Sequence, residues 1–199
     1  MKMRWIGMAV ALIGVTMLIV PGFSEASDQW ATEVIDYTSQ WSGGSWAAFQ
    51  ALGVPDTFGY GDISTAWAPA PVNRSLEYLS LRFAKPVYAT GATIRETDGN
   101  GFVYQVDAID TDNVLHTVWT GTDPSLPGTP VDFTLTWPTT PYLVQGLKIY
   151  VNTDHDPTTW EEIDAVNLSD STSVPEPISL LFLAPGFIGL AAVRRKFKK

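Results

Sequence analysis

Apolar and polar residues alternate with a period of two through much of the chain after residue 76. In residues 79–83 two leucines and a phenylalanine fall on one face and Ser80 and Arg82 on the other, and residues 131–137 alternate without interruption. A period of two is typical of a β-strand that is buried on one face. Weaker patterns predict further strands at residues 102–108, 115–119, 147–151 and 163–168.

Turn-forming residues separate the predicted strands. Asp98-Gly-Asn-Gly101 predicts a β-hairpin between residues 92–96 and 102–108, because both of its dipeptides tolerate positive φ. Asp110-Thr-Asp-Asn113 predicts a second turn.

One segment between residues 27 and 173 has a helical pattern. Residues 46–52 predict a short helix, with Ser45 placed to cap its start and Gly53 to end it. The other elements are short strands without helical crossovers, which favours an antiparallel sheet over a parallel one. We therefore predict an all-β fold, an antiparallel β-sandwich with a short helix near its start.

The first 26 residues have the three parts of a signal peptide. Lys2 and Arg4 supply positive charge, residues 5–20 are apolar, and Ser24 and Ala26 form a small-x-small cleavage site. We predict a signal helix over residues 1–26 that directs export through the Sec machinery. A permanent N-terminal membrane helix is the alternative.

The C-terminal residues 174–199 combine a short motif, an apolar segment and a basic tail. The motif is Val174-Pro175-Glu176-Pro177, residues 178–193 predict a transmembrane helix, and a tail that begins Arg194-Arg195-Lys196 should stay in the cytoplasm. This order resembles the PEP-CTERM sorting signal of Gram-negative bacteria. A plain single-span anchor explains the apolar run and the tail but not the Pro-Glu-Pro motif.

The PEP-CTERM resemblance implies a partner and a destination. The partner is an exosortase, a membrane protease that cuts near Pro-Glu-Pro after a transient stay of its substrate in the inner membrane. The destination is the cell surface, outer envelope or extracellular matrix of bacteria that produce exopolysaccharide and form biofilms.

Residues 27–173, between the two apolar ends, are long enough to form one domain. They hold 19 of the 21 acidic residues but only 5 of the 12 basic ones. A surface this acidic repels phosphate backbones, which argues against nucleic acid as a partner. The chain has no cysteine, which excludes disulfides, thiolate metal sites and cysteine catalysis.

Several stretches of this domain resemble discoidin-like, or galactose-binding-like, jelly-roll domains. They are residues 51–56, 66–69, 77–87, 94–97 and 162–166. Asp98-Gly-Asn-Gly101 departs from the pattern, since related sequences often have Asn-Pro-Gly at this turn. Domains of this type bind carbohydrate, lipid or protein, so the resemblance implies a fold more than a ligand.

Residues suited to catalysis are scarce. The only histidines are His116 and His155, no Gly-x-Ser-x-Gly motif occurs, and Gly43-Gly-Ser-Trp-Ala47 imitates it only in part. A nucleophile needs a base and an orienting group. We therefore predict a non-catalytic binding or structural module, with extracellular polysaccharide as a candidate partner. A secreted carbohydrate-active enzyme is the alternative.

Three tryptophans fall in predicted loops, where an indole can stack on a sugar ring. They are Trp41, Trp67 and Trp160. The alternative for each of them is packing within the core or within a loop, since large aromatics supply much of the burial in a domain without disulfides.

The jelly-roll resemblance also implies a structural calcium ion between the early loop and the last strand. Asp56 or Asp62 would hold it together with Glu161 or Glu162, because calcium prefers carboxylate and carbonyl oxygens. In the alternative, Asp56 caps a turn and the glutamates face solvent.

Overall fold

A computed structural model describes residues 28–170 of the chain. It contains eight strands: β1 (Gln29–Tyr37), β2 (Leu76–Val87), β3 (Ala89–Asp98), β4 (Val103–Asp110), β5 (Leu115–Thr120), β6 (Val131–Thr136), β7 (Val144–Asn152) and β8 (Glu162–Asp170). Their order is β5-β4-β7-β2-β1-β8-β3-β6, and every neighbouring pair is antiparallel.

Strand β1 belongs to both halves of the fold. Residues 31–37 pair with β2, whereas Gln29 and Trp30 pair with β8. The halves β5-β4-β7-β2-β1 and β8-β3-β6 enclose a core to which the alternating apolar residues contribute, among them Leu79, Leu81, Ile94, Ile149 and Leu168. The predicted all-β antiparallel sandwich is confirmed.

The strands predicted from alternation are present as β2 and β4 to β8, whereas β1 was not predicted. Only Ala31 of its nine residues is fully buried, so its sequence carries no period-two apolar signal. The turn predicted at Asp110-Thr-Asp-Asn113 joins β4 to β5. There Asn113 has a φ of 63° and donates its N–H to Asp110 O at 3.0 Å.

The hairpin predicted at Asp98-Gly-Asn-Gly101 is wrong. β3 pairs with β6 and β8 while β4 pairs with β5 and β7, so the chain crosses here between the two halves of the sandwich. The loop does need positive φ, at 61° for Gly99 and 104° for Gly101. Asn100 is fully buried, and its Nδ2 donates to two carbonyl oxygens of the 126–129 segment. The two glycines thus supply the positive φ angles that a buried crossover loop requires.

The helix predicted over residues 46–52 is reduced to one 3-10 turn, Ala48–Ala51. Trp46 has a φ of 52°, which an α-helix cannot accommodate. Ser45 is not the cap: Ala47 occupies that position, and Gln40 Oε1 accepts the N–H of Ala48 at 2.9 Å.

The predicted signal peptide (1–26) and the PEP-CTERM segment, with its helix (178–193) and basic tail (194–199), lie outside the described residues. Within residues 28–170, no helix is long and apolar enough to cross a membrane.

Candidate functional site

Three tryptophans surround a pocket of about 120 Å³, which we call the tryptophan pocket. Its lining residues are Trp41, Trp46, Asp62, Ala68 and Trp160. The ring centroids of Trp41 and Trp160 lie 5.1 Å apart with their planes at 70°, an edge-to-face contact. Trp41 is 52% exposed, so much of its indole surface is open to a ligand.

Backbone hydrogen bonds join the two loops that carry this pocket. The N–H of Trp41 donates to Ala68 O at 2.9 Å, that of Ala68 to Trp46 O at 3.3 Å, and that of Trp46 to Ser64 O at 3.0 Å. Trp46 adopts its positive φ although it is bulky, a conformation that costs energy and persists only where neighbours enforce it. The positions of Trp41 and Trp46 are therefore set by a rigid loop framework.

Glu162, at the start of β8, fixes the Trp46 side chain from behind. Trp46 Nε1 donates to Glu162 Oε1 at 2.9 Å, and the Ile63 N–H and Thr97 Oγ1 donate to Oε2 at 3.3 and 3.4 Å. Glu162 is fully buried. Burial, and after it the nearby Asp98 and Asp62 carboxylates, raise the pKa of Glu162 to about 9.

Asp164 makes the corresponding link two residues later in β8. Its carboxylate accepts the N–H groups of Asp56 and Thr57 at 3.2 and 3.1 Å. Burial raises the pKa of Asp164 to about 6. Glu162 and Asp164 thus tie the loop before β2 to the last strand by direct hydrogen bonds.

Of the predicted calcium pairs, which join Asp56 or Asp62 to Glu161 or Glu162, the structure brings Asp62 and Glu162 together. Asp56 lies at Asp164, and Glu161 neighbours two other aspartates. Among residues 28–170, no three His, Asp or Glu side chains are grouped so as to hold a metal ion. N–H donors already occupy the carboxylate oxygens of Glu162 and Asp164, so these residues fit calcium poorly. The ion stays a prediction, which equal melting temperatures in calcium and in chelator would remove.

Glu161 follows Trp160 and is also fully buried. Neither of its carboxylate oxygens accepts a hydrogen bond with good geometry. Burial raises the pKa of Glu161 to about 8, and the nearby Asp156 and Asp98 carboxylates add to this. Glu161 is therefore a buried and mostly uncharged carboxyl at neutral pH.

Of the three tryptophans predicted to bind sugar, Trp41 and Trp160 meet in the pocket and Trp67 does not. Trp67 is fully buried in the core, and its backbone exchanges hydrogen bonds of 2.8 and 3.0 Å with Ile163 of β8. Its indole Nε1 donates to Ser39 O at 3.2 Å. Trp67 is thus a packing residue, because its segment runs beside β8 with the side chain facing inward.

Trp46 is the lining residue that sequence reasoning missed. Its sequence position predicted a helix and not a pocket wall, and its hydrogen-bond partner Glu162 is 116 positions away in the chain. No local pattern marks such a pair.

A second pocket, of about 160 Å³, is more polar, and we call it the polar cleft. Its lining includes Gly101, Tyr104, Asp123, Asn152 and His155. Behind it, Glu96 is fully buried and accepts the Gly101 N–H at 2.9 Å. Burial, and then contact with the Asp123 carboxyl, raise the pKa of Glu96 to about 10, so Glu96 carries a proton at neutral pH.

Comparison with known proteins gives a family and a fold. The family model "Pappalysin-1, SD scarf domain, C-terminal" matches residues 24–177, more than half of the chain. No curated protein sequence matches the chain.

Solved structures share the fold at low sequence identity. The family 32 carbohydrate-binding module of C. perfringens NanJ, solved in complex with galactose, superposes with a TM-score of 0.53 at 19% identity and covers 72% of this chain and 100% of its own. The family 32 module from Streptococcus pneumoniae EndoD gives 0.50 at 17%, covering 70% and 95%. A chain in the structure of reduced XRCC1 bound to the DNA pol beta catalytic domain gives 0.53 at 16%, covering 73% and 99%.

Proposed function

This chain belongs to the family of the pappalysin-1 SD scarf domain, C-terminal, and from the fold and the pocket that its residues build we propose that it is a non-catalytic module that binds carbohydrate in the tryptophan pocket. The observation that carries the proposal is the half-exposed indole of Trp41 beside Trp160. Sugar rings present C–H faces that pack on indoles, and a small number of fixed polar groups then orients them.

The polar neighbourhood of the pocket suits such a ligand. Asp62 is exposed at its rim and can accept hydrogen bonds from sugar hydroxyls. Trp46 is fixed by its bond to Glu162, so the pocket is formed before the ligand arrives. The NanJ module of the same fold was solved in complex with galactose, which supports carbohydrate as the ligand class.

The contacts of the two histidines support a binding role over catalysis. His116 Nε2 lies 2.8 Å from Asp110 Oδ2 and its ring stacks on Tyr142, while His155 Nε2 lies 2.9 Å from Asn100 O. Within residues 28–170, neither histidine has a serine or threonine hydroxyl among its hydrogen-bond partners. A triad for nucleophilic attack would need one.

Binding of the purified protein to a glycan array, followed by calorimetry with the best ligand, tests the proposal. We expect saturable binding without turnover. Turnover of a polysaccharide that is abolished by changing one carboxylate would show a carbohydrate-active enzyme instead.

We further propose that the C-terminal segment sorts this module to the cell surface, outer envelope or extracellular matrix through an exosortase. The proposal rests on Val174-Pro175-Glu176-Pro177 followed by an apolar segment and a basic tail. Mass spectrometry of the surface protein should find a chain that lacks residues 194–199. An intact Lys199 would show a permanent anchor.

A further inference from the structure

The charged residue that lines the tryptophan pocket is Asp62, an exposed carboxylate at its rim. Asp98 and Asp156 lie close to Glu161, which follows Trp160 in the chain, whereas Glu161 and Glu162 are themselves uncharged at acidic pH because burial raises the pKa of each. Such a site attracts a positive group and repels a negative one, and the effect is strongest at low ionic strength.

No basic side chain of residues 28–170 lines this pocket. Three of the five have partners elsewhere: Arg82 pairs with Glu33, Arg95 pairs with Asp132, and Lys148 lies over the ring of Tyr78. The site therefore has no group to neutralise the carboxylate of a uronic or sialic acid.

The aromatic lining adds an attraction of its own for cations. An ammonium group over an indole face gains cation–π energy, and tryptophan is the best of the aromatic side chains for this contact. Trp41, Trp46 and Trp160 surround the same small volume that Asp62 borders. Several aromatic rings with a carboxylate at the rim are the combination by which proteins hold ammonium groups.

We propose that the tryptophan pocket binds its glycan through a protonated amino group, so that the ligand class is an amino sugar with a free amine. This inference rests on the proposed function, because it names the sugar that the same pocket selects. The sugar ring packs on Trp41 while its ammonium group points toward Asp62.

Calorimetry with two matched ligands at pH 5.5 and low salt tests this assignment. The ligands are a β-1,4-linked glucosamine tetrasaccharide and its fully N-acetylated counterpart, which differ in the charge of the amino groups and the added acetyl groups. We expect the charged tetrasaccharide to bind about tenfold more tightly, since a cation–π contact and a rim ion pair together are worth about one factor of ten. Added salt should reduce the difference.

Asp62→Asn should bring the two affinities within about threefold of each other, mainly by weakening the charged ligand. Asp112→Asn is the matched control: Asp112 is exposed in the turn between β4 and β5, and its loss changes the net charge equally. It should leave the ratio unchanged.

The outcomes separate this inference from the proposed function. Equal affinities for the two tetrasaccharides, or tighter binding of the acetylated one, would overturn the amino-sugar assignment and leave carbohydrate binding standing. Choline binding more tightly than the glucosamine tetrasaccharide would show that the pocket recognises ammonium without the sugar. Binding of no carbohydrate at all would overturn both.

Discussion

The tryptophan pocket and the polar cleft have similar sizes, and each has a buried glutamate behind its wall. In the tryptophan pocket, Glu162 accepts a hydrogen bond from the indole of Trp46, and the lining is largely aromatic. In the polar cleft, Glu96 lies beside Asp123, a lining residue, and its pKa is raised to about 10. The glutamate of the first pocket therefore orients a ligand-facing ring, whereas that of the second is a protonated carboxyl beside a lining residue.

The difference indicates that volume does not identify the binding site. The polar cleft is the larger of the two, at about 160 against about 120 Å³. Of these two pockets, only the tryptophan pocket offers a large, half-exposed aromatic surface. Backbone hydrogen bonds of Trp41 and the side-chain bond from Trp46 to Glu162 hold that surface in place. Predictions that disturb one pocket and leave the other intact test this distinction.

The largest expected effect is the pH dependence of stability, to which three buried glutamates contribute. The folded-state pKa values of Glu96, Glu162 and Glu161 are raised from 4.5 to about 10, 9 and 8. Their contribution to stability is therefore complete below pH 4.5 and is lost as the pH rises through these values. The melting temperature, measured in chelator, should fall steadily from about pH 5 to about pH 9.

Glu96→Gln separates the two pockets in this experiment. Its carbonyl can still accept the Gly101 N–H and its amide can donate to Asp123, so the hydrogen bonds survive without a titrating proton. We expect a flatter pH profile and unchanged glycan binding. A profile as steep as that of the unmodified protein would show that Glu96 does not titrate in this range.

The next largest effect is expected from the crossover loop, which touches both pockets. A Cβ on Gly99 would lie 2.6 Å from Trp160 O, and one on Gly101 would lie 2.7 Å from His155 Nε2. Both positions also have positive φ. We expect Gly99→Ala and Gly101→Ala each to cost about 2–4 kcal/mol in the free energy of unfolding, measured by urea denaturation.

Only Gly99→Ala should also weaken glycan binding, because it displaces Trp160 whereas Gly101→Ala displaces His155. Gly128→Ala is the control, since Gly128 has a φ of 111° and nothing within 4 Å of its added Cβ. It measures the backbone cost alone. A Gly101→Ala protein that loses glycan binding while Gly99→Ala keeps it would place the ligand in the polar cleft.

The sequence predicted the strands well and the site only in part. The reason is that strands depend on residues close together in the sequence, whereas the site depends on residues far apart in it. Alternation in β2 and β6 is local, because burial of one sheet face acts on every second residue. The Asp98–Gly101 turn signal is also local and describes the backbone correctly, but pairing depends on which strand edges are free. Trp41 and Trp160 were named from loop positions, whereas their contact joins segments more than 100 residues apart.

We expect the smallest effect from removing one aromatic ring in each pocket. This pair of substitutions is also the most direct test of which pocket binds the glycan. Trp41→Ala should weaken glycan binding about tenfold, the loss expected when one stacking ring worth about 1.4 kcal/mol is removed. Trp41 is half-exposed, so the melting temperature should fall little.

Tyr104→Ala is the matched change in the polar cleft, where Tyr104 contacts Tyr150 with ring centroids 5.9 Å apart. Calorimetry should find its glycan affinity within about twofold of the unmodified protein. The reverse result, with Tyr104→Ala weak and Trp41→Ala unaffected, would assign the ligand to the polar cleft, because each substitution removes an aromatic surface from one pocket alone.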